Sequence, residues 1–297
     1  MTAGASTLSL RSFRELWIHT GTACNLSCPF CHEGSRPGDV RLQAPTLAEL
    51  RPLLSDAAAL GIERFIFTGG EPLILKGIHD ILLAALQLRP ALVLTNGTAP
   101  FIRRAHQLAA LRAAPQALAF HVSIDSPDES VHDAGRGLKN FRKAIEGLRI
   151  LHDGGFATGI VSQPHAGADS AAVVARFRQL LKRQQLPQDL PVHCIAELGA
   201  LHAPGAEAAI PALDIEASFA PGTLPASGAI AVTPCCTRGR MLIKRSGALW
   251  LTACPMVDDD VAFDRAADLR VALTAPIQPT HRRCTTCLRS GLRYGGI

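Results

Sequence analysis

Apolar residues along this chain follow two alternating rhythms. Six short runs, LWIH (16–19), RFIF (64–67), ALVL (91–94), LAFHVSI (118–124), TGIV (158–161) and PVHCI (191–195), have the length and composition of buried strands. Between them apolar positions recur at three and four residues, as on a helix face. Thr46-x-x-Glu49 after Pro45 is a capping box, and Leu47, Leu50, Leu53 and Leu54 carry one face forward until Gly61. Phe141, Ile145, Leu148 and Leu151 mark a second helix closed by Gly154-Gly155, and Val173, Val174, Phe177, Leu180 and Leu181 a third. Strand and helix alternate six times, which predicts βα units on a parallel sheet. The period alone fits an open doubly wound sheet and a partial barrel equally. In either, chemistry belongs at the C-terminal ends of the strands and in the loops after them.

The pattern breaks after Glu197. Residues 198–230 are rich in Ala, Pro and Gly without a period, and read as a connection between a βα unit over 1–197 and a smaller module over 231–297. In that module MLIKRSGALWL (241–251), two apolar runs about Ser246-Gly247, predicts a β-hairpin. The chain's 297 residues, 47% of them apolar, suffice for one large α/β domain with an appendage. A net charge of +5 is mild and does not indicate nucleic acid. No signal-length apolar run opens the sequence and no membrane-length one follows, so a cytoplasmic protein is expected. In that reducing setting nine cysteines point to metal or redox use rather than to disulfides.

Three of them, Cys24, Cys28 and Cys31 in TACNLSCPFC, follow the first strand. Iron–sulfur cubes normally take four thiolates. Three leave one iron open to a chelating ligand with nitrogen and oxygen donors, such as an amino acid's amino and carboxylate groups. A zinc ion completed by His32 is the rival reading. Phe30 puts an aromatic beside the site. After strand two, Gly69-Gly70 lets backbone approach a bound molecule, Glu71 offers a carboxylate to an ammonium, and Pro72 fixes the turn. Asn96 follows strand three. Ser123 and Asp125 end strand four on one face, where a hydroxyl and a carboxylate can bond the two hydroxyls of a ribose. Arg136, just beyond, can clamp a carboxylate.

C-x3-C-x2-C with an aromatic before the last cysteine, then TGGEP, TNG and SIDS in order on successive strands, resembles the radical S-adenosylmethionine (radical SAM) superfamily over about residues 14 to 197. SIDSPDESVHDAGRGLKNFRKAIEGL is similar to the branch containing anaerobic sulfatase-maturating and peptide-modifying enzymes. The resemblance implies a partial (β/α)6 TIM-type barrel with a small cysteine-rich auxiliary module. It implies a [4Fe-4S] cluster on Cys24, Cys28 and Cys31 with exchangeable SAM, and SAM contacts from Phe30, Gly69, Gly70, Glu71, Asn96, Ser123, Asp125 and Arg136. One electron would cleave SAM to a 5′-deoxyadenosyl radical, which would take hydrogen from a peptide or small-protein substrate. A low-potential donor, flavodoxin or ferredoxin, would supply the electron. The first strand begins almost at once, so a separate peptide-recognition protein is expected. No membrane partner is expected.

Cys236, Cys254 and Cys284-x2-Cys287 resemble the auxiliary-cluster modules called SPASM and twitch, and imply a second [4Fe-4S] cluster. Here Gly247 stands farther from Cys254 than in the family pattern. Cys235 competes with Cys236 as ligand, and a zinc ribbon with a cluster. Two other functions compete. A small-molecule cofactor maturase is suggested by Gly295-Gly296, which resemble the tail of the molybdopterin-pathway cyclase that rearranges GTP. A non-catalytic electron carrier would need no GGEP or SIDS segment. Cys194 reads as a small buried residue. His19, His121 and His193 on strands read as core or surface residues, and Arg282, Arg283, Arg289 and Arg293 as a solvated face.

Overall fold

A computed structural model describes residue 10, residues 12–164, 168–195 and 235–284, and Cys287. The expected connection over 198–230, the Gly295-Gly296 tail, Arg289 and Arg293 lie outside the described residues. All six expected strands form: β1 (Glu15–His19), β2 (Arg64–Thr68), β3 (Ala91–Thr95), β4 (Leu118–Ser123), β5 (Ala157–Ser162) and β6 (Val192–Cys194). They pair in parallel and in sequence order. The three expected helices form at Leu47–Ala59, Asn140–Asp153 and Ser170–Arg183. At the first, Thr46 accepts from the Glu49 amide while the Glu49 carboxylate accepts from the Thr46 amide, so both halves of the capping box are made. This is the partial barrel, α/β with a mostly parallel sheet.

Period-two alternation sorts the strand side chains into two layers. Leu16, Ile18, Phe65, Phe67, Val93, Phe120 and Val122 join the helices in the outer core. Trp17, Ile66 and Leu92 point into the barrel, where Met241, Ile243 and Met256 from the C-terminal module meet them. The expected hairpin forms as β7 (Gly239–Arg245) and β8 (Ala248–Thr252), turning at Ser246 and Gly247, both at positive φ. β7 also pairs in parallel with β1, from Glu15 opposite Gly239 to Ile18 opposite Leu242. Strand β9 (Asp264–Ala266) extends the edge beyond β8. Among the described residues, barrel and module therefore share one nine-stranded sheet, β6-β5-β4-β3-β2-β1-β7-β8-β9. A parallel pairing across that much intervening chain leaves no mark in local sequence. No helix of the described residues is long and apolar enough to cross a membrane.

Candidate active site

A cleft opens at the C-terminal ends of the parallel strands. Cys24, Cys28, Cys31, Phe30, Gly69, Gly70, Asn96, Ser123, Asp125 and Arg136 all line it. These ten residues thus share one cleft, although the contacts they make differ from those expected for several of them.

Gly69-Gly70 was expected to make room for a ligand. A Cβ at Gly70 would instead stand 2.1 Å from the carbonyl oxygen of Ala23, and one at Gly69 2.8 Å from that of Gly21. The glycines let the loop after β2 press against the cysteine loop, where the Gly70 amide donates to Gly21 and the Glu71 amide to Ala23 at 2.9 and 3.1 Å. Glu71 is not among the residues that line the cleft, and its carboxylate meets protein donors. It is 2% exposed. One carboxylate oxygen accepts from the Leu73 amide and the Thr95 hydroxyl at 3.0 and 2.8 Å, and the other from the Asn96 amide at 2.7 Å. Its acceptors are committed to fastening the β2 loop to the β3 loop. Asn96 continues the chain of contacts, donating to Asn25 at 3.0 Å and reaching the Cys24 sulfur at 3.9 Å.

Asp125 and Arg136 were expected to hold different groups of a ligand. In the structure they hold each other: Nε and Nη2 of Arg136 donate to the two carboxylate oxygens of Asp125. Burial works against the charge on Arg136, but the adjacent carboxylate outweighs it and raises the guanidinium pKa above its ordinary value. The guanidinium lies 5.6 Å from the centre of the Phe30 ring, and a Cβ at Gly135 would strike that ring. Ser162 donates to the Asp125 carbonyl at 2.8 Å, a support no local pattern marks.

Below these polar walls lie Trp17, Leu94, His121, Val161 and Ile195. His121, expected as a core or surface residue, shares the inward face of β4 with Ser123, the period-two signal that could have found it. A Cβ at Gly159 would stand 3.0 Å from its ring, and His193 stacks on it at 4.9 Å. Burial and the neighbouring His193 push His121 down to about 3, so the ring is neutral near pH 7. His19 is buried against Glu33 at 3.1 Å rather than facing the cleft. Cys194 is half-buried.

Three thiols in one cleft fit a cluster by their chemistry. Burial pushes each above its ordinary pKa, Cys24 to about 12. Bound iron would supply the positive charge that makes them thiolates. A second set gathers in the tail. Cys236, Cys254, Cys284 and Cys287 line one apolar pocket with Val257, Phe263 and Ile277. Cys235 packs instead in the barrel-side cluster with Trp17 and Met241, so Cys236 is the one that faces the pocket. Arg283 corrects the expected solvated face: it is 3% exposed, donates to the Met256 carbonyl at 2.7 Å, and also donates to the carbonyl of His32 beside Cys31. Met256 lines both the cleft and the second pocket.

Because buried Glu71 accepts three hydrogen bonds, Glu71→Gln turns one acceptor into a donor facing donors. It should lower stability by about 1–3 kcal/mol and loosen the cysteine loop, read by chemical denaturation and by iron retained after reconstitution. Unchanged stability would return Glu71 to a ligand-binding role.

The Radical SAM superfamily pattern matches residues 18–169, just over half of the chain. The GTP 3′,8-cyclase of Cronobacter sakazakii (strain ATCC BAA-894) is 32% identical over 151 residues, 49% of this chain and 44% of the relative. The match thus spans less than half of that curated relative's length. The crystal structure of Streptococcus suis SuiB aligns over 89% of this chain and 66% of its own, with 13% identity and a TM-score of 0.60, a likeness of fold. A structure of the same protein bound to S-adenosylmethionine aligns over 59% of this chain and 39% of its own, with 20% identity and a TM-score of 0.49. The family uses a [4Fe-4S] cluster and S-adenosylmethionine, to which the three-thiol cleft is suited. This chain belongs to the radical SAM superfamily.

Proposed function

We propose that this chain cleaves SAM reductively at a cluster held by Cys24, Cys28 and Cys31, and modifies a peptide or small protein with help from a second cluster on Cys236, Cys254, Cys284 and Cys287. The cluster and SAM supply one-electron cleavage of a sulfonium bond and hydrogen-atom abstraction. The protein supplies position and dryness. Ser123 and the Asp125–Arg136 pair present a hydroxyl, an acceptor and a cation to one wall, with side chains 12% and 15% exposed for Asp125 and Arg136. Gly69, Gly70 and Asn96 form the facing wall. The apolar floor and neutral His121 keep water and free charge from the reacting carbon.

The observation that carries this reading is Met256, which borders both cysteine sites and leaves them one side chain apart. A saturated four-thiolate cluster there would offer SAM no open iron, and would serve to exchange an electron with a substrate in the cleft. The similarity of residues 123–148 to peptide-modifying members supports the substrate class. Flavodoxin or ferredoxin would be the electron donor, and a separate protein would recognise the peptide.

The test is an anaerobic iron count. Replacing Cys24, Cys28 and Cys31 with alanine should abolish 5′-deoxyadenosine formation yet leave one cluster's complement, about four irons, which further replacement of Cys284 and Cys287 removes. Continued SAM cleavage in the triple variant would refute the first assignment, and one zinc with no iron the second.

The 32% identity to GTP 3′,8-cyclase favours a second reading, maturation of a small-molecule cofactor from a nucleotide. Turnover with GTP separates the two. The peptide reading expects no GTP consumption above the SAM-only background, whereas GTP loss in step with 5′-deoxyadenosine would establish the nucleotide reading.

A further inference from the structure

Arg240 on β7 is 0% exposed. Its Nη1 donates to the carbonyls of Cys236 and Gly239 at 2.7 and 3.0 Å and reaches that of Ala253 at 3.4 Å, while Nε donates to that of Ala272 at 3.0 Å. Nη2 is buried and has no hydrogen-bond partner. Several arginines held by the fold have carboxylates: Arg64 pairs with Glu15, Arg136 with Asp125 and Arg245 with Asp264, whereas buried Arg283, like Arg240, donates to carbonyls, those of Met256 and His32. No carboxylate among the described residues pairs with Arg240. Carbonyl dipoles satisfy its hydrogens without cancelling its charge, and a lone buried cation is among the costliest features a core can hold. Of the carbonyls it touches, that of Cys236 belongs to a cysteine of the set and that of Ala253 directly precedes Cys254, while Gly239 opens β7 and Ala272 lies in the helix Leu269–Thr274. As free thiols those side chains would be neutral. As metal ligands they are thiolates, and a four-thiolate cluster is doubly negative when oxidised and triply negative when reduced.

The geometry points to Arg240 as the buried counter-cation of an anionic four-thiolate centre at Cys236, Cys254, Cys284 and Cys287. This rests on the second site proposed above and adds to it a residue that sets the centre's charge balance. Arg240 acts on the centre through position and field, not as a ligand. Its carbonyl contacts draw the two cysteine loops together, and its charge favours the more negative, reduced state.

The test uses the full chain with Cys24, Cys28 and Cys31 replaced by alanine, so that the second centre alone reports. In an anaerobic EPR-monitored redox titration, Arg240→Gln should shift reduction of that centre unfavourably by at least about tenfold, about 59 mV for one electron. Arg240→Lys, which keeps the charge but not the fork of hydrogen bonds, should stay near the parent. Equal potentials in all three would overturn the proposal and leave Arg240 a structural tie. A second measurement does not depend on iron. Arg240→Met should lower the thermal midpoint of the metal-loaded chain but raise it when Cys236, Cys254, Cys284 and Cys287 are all serine, because the cation then has no anion to answer it. The same sign in both backgrounds would refute the countercharge. Zinc in place of iron, with opposite signs, would uphold Arg240's role while refuting the redox role of the second centre.

Discussion

The cysteine loop leaves the C-terminal end of β1, and that strand is hydrogen-bonded on both edges, to β2 on one side and to β7 on the other. Everything at the cleft depends on this double pairing. From the β2 side, the amides of Gly70 and Glu71 seize the carbonyls of Gly21 and Ala23. From the β7 side, the Gln43 amide donates to the Lys244 carbonyl, and Arg283 reaches the carbonyl of His32. The loop that carries three half-buried thiols, each of which resists ionisation by itself, is thereby tied to both neighbouring strands. A loop anchored only by its own turns would have to order itself around the cluster, at the entropic cost of fixing each residue.

The same arrangement explains why the tail is more than an appendage. Because β7 joins the barrel sheet, the hairpin's inward residues Met241 and Ile243 fill the barrel mouth beside Trp17 and Ile66. The loop after β8 then delivers Met256 to the cleft and Cys254 to the second pocket within three residues. The cleft is lined in part by Trp17, Leu94, Val161 and Ile195 and pairs Asp125 with Arg136, and the second pocket is apolar except for its cysteines and the buried Arg283. Both places suit chemistry that water would quench.

Much of this was legible in the sequence. Six apolar runs became six parallel strands, Thr46 and Glu49 closed their capping box, and Ser246-Gly247 turned the hairpin, because each depends on residues close together in the chain. The cleft wall was legible because loops at strand ends converge whatever their sequence. The partners of its side chains were not. Gly70 reads as space for a ligand until Ala23 is seen 2.1 Å from its missing Cβ. Glu71 reads as a ligand carboxylate until Leu73, Thr95 and Asn96 are seen to occupy it. Arg283 reads as a surface charge and Arg240 carries no mark at all, since only tertiary packing shows a cation going inside. Cys235 and Cys236 differ by one position in sequence and by the cluster they face in space. Each of these turns on contact between distant segments, which a local pattern cannot carry.

The proposed iron–sulfur centres would lie in two neighbouring pockets that share Met256. Two reduced, paramagnetic clusters that close must couple magnetically. The EPR spectrum of the fully reduced chain should show broadening and splitting absent from variants lacking either cysteine set. A spectrum equal to the sum of the two single-centre spectra would contradict the account.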